Sequence, residues 1–61
     1  MLEYVKVILK AVSFDAVLFE KELRKNMKDL VKEELQELKR WCYEQYGQLY
    51  PQVLSVAFAR I

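Results

Sequence analysis

Arg24-Lys25-Asn26-Met27-Lys28-Asp29-Leu30-Val31-Lys32-Glu33-Glu34 stands at the centre of the 61-residue chain, and its reading decides the architecture. On either side of it apolar positions step by three or four without losing phase: Phe19, Leu23 and Met27 before, Leu30 and Val31 within, and Leu35, Leu38, Cys42 and Tyr46 after. This is the period of a helical stripe. No glycine or proline lies between Phe14 and Tyr46, so the apolar pattern alone permits one helix of about 32 residues, roughly 48 Å long. A compact chain of this size has a radius of gyration of about 10 Å, so an unbroken helix would demand a partner chain. The charges argue for two helices instead. Asp15, Glu20 and Glu22 are followed by Arg24, Lys25, Lys28 and Lys32, then Glu33, Glu34 and Glu37, then Lys39 and Arg40. Acid early and base late, twice over, matches two consecutive helix dipoles. Continuity would also set Lys28 four residues from Lys32 and Asp29 four from Glu33, each like-charge pair costing about 0.2 to 0.5 kcal/mol. The sequence therefore predicts a break near Asp29 to Lys32.

The flanking boundaries follow from local chemistry. Ser13 and Asp15 are both good N-caps, and Phe14 and Phe19 stand where a hydrophobic staple would close over Asp15, so the second helix is predicted to start at residue 15 or 16. Gly47 predicts a helix end, with glycine supplying the left-handed residue that commonly follows one. Pro51 suits the first turn of a last helix, where its missing N–H is not needed. That helix carries Gln52, Ser55 and Arg60 as polar positions and is otherwise apolar, with Val53, Leu54, Val56, Ala57, Phe58 and Ile61.

At the other end, Val5, Val7, Ile8 and Val12 suggest a strand, but Glu3, Lys6, Lys10 and Ser13 recur at spacings that fall on one helical face. A helix over about residues 2–12 is predicted. Its remaining surface, Leu2, Tyr4, Val5, Val7, Ile8, Leu9, Ala11 and Val12, is an apolar arc wide enough for a helix contacted on two sides. The expected fold is all-α: a single domain over 1–61, a small self-associating bundle of three or four short helices, with the first and last packing on the middle pair.

Composition narrows the function classes. Apolar residues make up 54% of a chain with too little interior to hide them, so self-association is expected. One cysteine and no histidine exclude an internal disulfide and the usual zinc ligand sets. Ten Lys plus Arg against nine Asp plus Glu leave a formal charge of +1, which argues against a dedicated polyanion binder. No basic leader with an apolar core is read at the start, and no apolar run approaches the roughly 20 residues that span a bilayer. A soluble cytoplasmic protein without a membrane partner is expected, and a lone thiol fits a reducing compartment.

Candidate sites are few. Trp41, Tyr43, Tyr46 and Tyr50, with Phe58 in the last helix, form the candidate protein contact. Trp41 and Tyr46 are expected to face inward, and Tyr43 and Tyr50 to mark a surface. Lys21, Lys25, Lys28 and Lys32, with Arg24 beside them, form a candidate phosphate-contacting stripe; acids lie among them and no aromatic residue interleaves to stack on bases. Cys42 follows Lys39 by three residues but lies on the apolar stripe and reads as a buried spectator. Glu33, Glu34 and Glu37 read as solvated neighbours and not as an acid–base pair or cation site. No catalytic, cofactor or metal residue is assigned, and no enzyme is expected.

The stretch from Val12 to Gly47, with Phe14-Asp15, Leu18-Phe19-Glu20-Lys21-Glu22-Leu23 and Trp41-Cys42-Tyr43, resembles short uncharacterised bacterial all-helical proteins over about half of the chain. The resemblance implies a small helical protein of unknown function and transfers no site. The leading expectation is a non-enzymatic interaction module that forms a homodimer through apolar helix faces, or that binds another protein. A nucleic-acid-associated protein using the lysine stripe is the alternative. An engineered scaffold is a third reading, although one glycine and a loop-poor middle depart from an idealised bundle with explicit caps.

Overall fold

A computed structural model describes residues 1–59 as four helices: α1 (Leu2–Ala11), α2 (Ala16–Met27), α3 (Lys32–Tyr46) and α4 (Pro51–Ala57). Arg60 and Ile61, assigned above to the last helix, lie outside the described residues. Contacts run α1 to α2, α1 to α3, α2 to α4 and α3 to α4, so the first and last helices each bridge the middle two, as the sequence predicts. Each helix turns a short apolar stripe inward. Val5 and Leu9, Phe19 and Leu23, Leu38 and Cys42, and Leu54 are fully buried, with Leu30 and Phe58 nearly so.

The central break falls where the charges place it. Residues 28–31 form a turn in which the Asp29 amide donates to the Asn26 carbonyl (3.2 Å) and the Leu30 amide to the Met27 carbonyl (3.3 Å). Asn26 contributes a signal the stripe analysis misses: its side-chain amide donates to the Glu22 carbonyl at 2.7 Å, a local bond that competes with helix continuation. Leu30 turns into the core while Val31 points out at 59% exposure, in an extended conformation (φ −76°, ψ 167°). The Val31 amide is then caught by the Glu34 carboxylate (3.2 Å), the return half of a capping box that starts α3. The folded chain measures 26 × 21 × 18 Å with a radius of gyration of 10.1 Å, which leaves no room for an unbroken helix.

Asp15 caps α2, accepting from the Val17 and Leu18 amides at 3.0 and 3.2 Å. Ser13 closes α1 instead, donating from its hydroxyl to the Lys10 carbonyl (2.9 Å). The expected staple is absent: Phe14 is 79% exposed, because Phe19 is fully buried among other aromatic rings and offers it no surface. Gly47 also departs from expectation. It is right-handed (φ −60°, ψ −31°), and α3 ends through amides of the next turn, Leu49 and Tyr50 both donating to the Tyr46 carbonyl. Glycine is suited here for space, since a β-carbon would collide with the Tyr43 carbonyl. Pro51 takes the first position of α4.

Of the polar residues Glu3, Lys6, Lys10 and Ser13 predicted to share one helical face, Glu3 and Lys10 are exposed and Lys6 is partly buried. Lys6 is only 19% exposed along its side chain, bridging Glu3 (3.5 Å) and Glu37 of α3 (3.9 Å) with its ammonium 5.7 Å from the Trp41 ring centre. It buries its stem and keeps its charge at the rim.

Lys32 stands at the first position of α3, where an amide has no intrahelical carbonyl to meet, and follows an extended residue. Lys32→Pro is therefore expected to stay within about 0.5 kcal/mol of the parent in urea unfolding. Proline inside a continuous helix would cost about 3 kcal/mol or more.

Candidate functional site

The aromatic group at the C-end of α3 is a lid over the core. Phe19 of α2 meets the Tyr46 ring at 5.0 Å and 65°, and the Tyr50 ring at 5.1 Å. Trp41 packs edgewise on Tyr46 at 5.7 Å. The Tyr50 hydroxyl donates to the Ser13 carbonyl, tying the α3–α4 turn to the α1–α2 turn. Trp41, Tyr46 and Tyr50 are all half-buried. Two of the candidate contact residues are therefore corrected. Tyr50 covers Phe19 and spends its polar end within the chain, and Phe58 is 3% exposed, with its ring 6.4 Å from that of Tyr43. Of the five, Tyr43 alone is exposed, at 41%.

The cationic stripe is shorter than its spacing suggests. Lys21, Arg24 and Lys25 are exposed along α2 and Lys28 at its C-cap, and with Val17 and Glu20 they line a shallow depression of about 430 Å³. Lys32 falls beyond the turn and opens α3, so the break separates it from the other four. Arg24 is engaged by Glu20 at 3.3 Å, which removes part of the positive field.

Cys42 is fully buried, and that burial pushes its thiol up to about 12, opposed only by the nearby charge of Lys6. The cation that bears on it comes from α1 and not from Lys39 in its own helix. Such a thiol is protonated and unreactive at neutral pH. The glutamates do not act together: Glu34 caps α3, Glu37 reaches Lys6, and Glu33 is exposed. Among the described residues no group of three or more Cys, Asp or Glu side chains is placed to hold a metal ion, and no buried side-chain N or O atom lacks a hydrogen-bond partner. Among the same residues no helix is long and apolar enough to cross a membrane.

The surface that stands out lies elsewhere. Tyr4 and Val7 on α1 are 63% and 65% exposed, and Phe14 and Val17 around the following turn are 79% and 78% exposed. Large apolar side chains at such exposure in a small chain mark contact surface more often than accident. Aromatic content draws attention to the C-terminal half and away from these residues. For Tyr4 and Val7 the sequence signal is the width of the apolar arc on the first helix.

Comparison with protein-family models, with curated proteins and with solved structures finds no match for this chain.

Two outcomes follow from this geometry. Tyr50→Phe keeps the ring and removes the bond to Ser13, and is expected to cost about 1 kcal/mol in equilibrium unfolding. Cys42 is expected to resist a thiol reagent at pH 8 in the native state and to react fully in denaturant. Its raised thiol favours the folded state fully below the unfolded value of about 8.5, and that contribution is lost as pH climbs toward 12. Stability should fall on the alkaline side, and less steeply in Cys42→Ala.

Proposed function

We propose that this chain is a non-enzymatic helical interaction module that associates with a second copy of itself through apolar helix surface left outside its core. The observation that carries the reading is the exposure of Tyr4, Val7, Phe14 and Val17, each more than three-fifths open, beside a core of nine buried side chains among the described residues. Covering that surface stabilises the folded state by about 25 cal/mol for each Å² of apolar area removed from water. A short chain gains more from this than a large one, because its own core supplies little surplus. A second reading draws on the exposed Lys21, Arg24, Lys25 and Lys28, which lie along α2 and at its C-cap and suit a polyanion.

Sedimentation equilibrium over a wide concentration range, with thermal unfolding followed at the same concentrations, tests the reading. Dimer formation with a melting temperature that rises with concentration is the expected result. A monomer at every concentration overturns it. If that monomer also binds nucleic acid with an affinity that collapses as salt is raised, the α2 stripe takes its place.

A further inference from the structure

We infer that the self-contact is an antiparallel two-fold pairing of α1 with the α1 of a second copy, centred on Val7. This rests on the self-association reading and specifies its surface. At about 100° per residue, Val7 points directly away from the side of α1 that carries the buried Val5 and Leu9. The outermost line of a surface helix ordinarily holds a charged or polar residue. Here it holds a valine at 65% exposure, with Tyr4 at 63% and the exposed Ala11 beside it.

The two flanks of that line are different, and each is self-complementary. One carries Tyr4 and Ala11, the other Glu3 and Lys10. A two-fold axis crossing α1 at Val7 reverses the helix direction and brings each flank against its own copy. Val7 then meets the partner's Val7, Tyr4 lies over the partner's Ala11, and Glu3 reaches the partner's Lys10. Large meets small on one side and acid meets base on the other, and both pairings are centred within about half a residue of Val7, so a single axis serves them. Met1 and Phe14, 64% and 79% exposed, lie beyond the two ends of α1, and the same axis brings the Phe14 end of one copy to the Met1 end of the other.

The charges also select the occupant and its direction. A parallel two-fold pairing would turn each flank against the opposite one and set Glu3 and Lys10 over the partner's apolar Tyr4 and Ala11 side, where neither charge meets its opposite. The Glu3 side chain is 86% exposed, and its partner Lys6 is shared with Glu37, so Glu3 has capacity for a second base. Lys10 is exposed and forms no ion pair among the described residues.

Sedimentation velocity of the full chain and of Glu3→Lys, Lys10→Glu and Val7→Lys tests this pairing, with circular dichroism to show that each variant stays helical. Each single charge reversal is expected to weaken self-association by about ten-fold, because two symmetry-related pairs turn repulsive together. An equimolar mixture of Glu3→Lys and Lys10→Glu is expected to recover the dimer as a heterodimer, since one copy then presents only bases on that flank and the other only acids. Val7→Lys is expected to abolish the dimer without loss of helix. A parent dimer that survives Val7→Lys, or a mixture that does not recover, overturns this face and leaves self-association standing. A parent monomer at every concentration overturns both.

Discussion

The fold depends on the capture of Phe19. This side chain is fully buried, with Tyr46 from the end of α3 and Tyr50 from the following turn packed on its ring. The Tyr50 hydroxyl fastens that arrangement to the Ser13 carbonyl, at the start of the segment that delivers Phe19. Two turns far apart in the chain are thereby held together by one ring cluster, and the helices they connect have little freedom left. Ring pairs of this kind contribute about 0.5 to 1.5 kcal/mol each beyond their buried area. In a domain whose whole stability is on the order of 5 kcal/mol, that is a large share.

What the cluster uses up determines what the surface lacks and what it keeps. Tyr46 and Tyr50 are committed to Phe19, Trp41 is committed to Tyr46 and lies beneath Lys6, and Phe58 is enclosed beside Tyr43. The C-terminal aromatic residues, which by composition look like a binding surface, are thus mostly internal. α1 is in the opposite position. Its Val5 and Leu9 satisfy the core, its Lys6 seals the seam with α3, and its apolar arc continues past both onto the outer side. The arc is wider than one core can use, and the surplus is Tyr4, Val7 and Ala11.

The sequence made the helices legible because their signals are local. Charge order located the break, since like charges four apart and mismatched dipoles act within one or two turns. Asp15 and Pro51 marked helix starts for equally local reasons. Most of the misreadings involve competition at a distance. Phe14 matches the staple pattern, but Phe19 is taken by rings that arrive from residues 46 and 50. Gly47 matches a left-handed cap, but the chain continues right-handed there into a further turn closed by the Leu49 and Tyr50 amides on the Tyr46 carbonyl. Tyr50 reads as surface because nothing near it in sequence shows that Ser13 will lie opposite. The polar line of α1 was visible by periodicity, yet periodicity cannot say that Lys6 would fold against Trp41 and leave Val7 outermost.

The proposed meeting place of two copies is the outer face of α1, while the Phe19 cluster is internal to each copy. Heteronuclear NMR spectra recorded across a dilution series measure this most directly, residue by residue. Concentration-dependent shifts are expected in the amides of Glu3, Tyr4, Val7, Lys10, Ala11 and Phe14, with Phe19, Tyr46 and Tyr50 unchanged. Shifts centred on Tyr43 and α4, or on the α2 cations, with α1 silent, would contradict that placement.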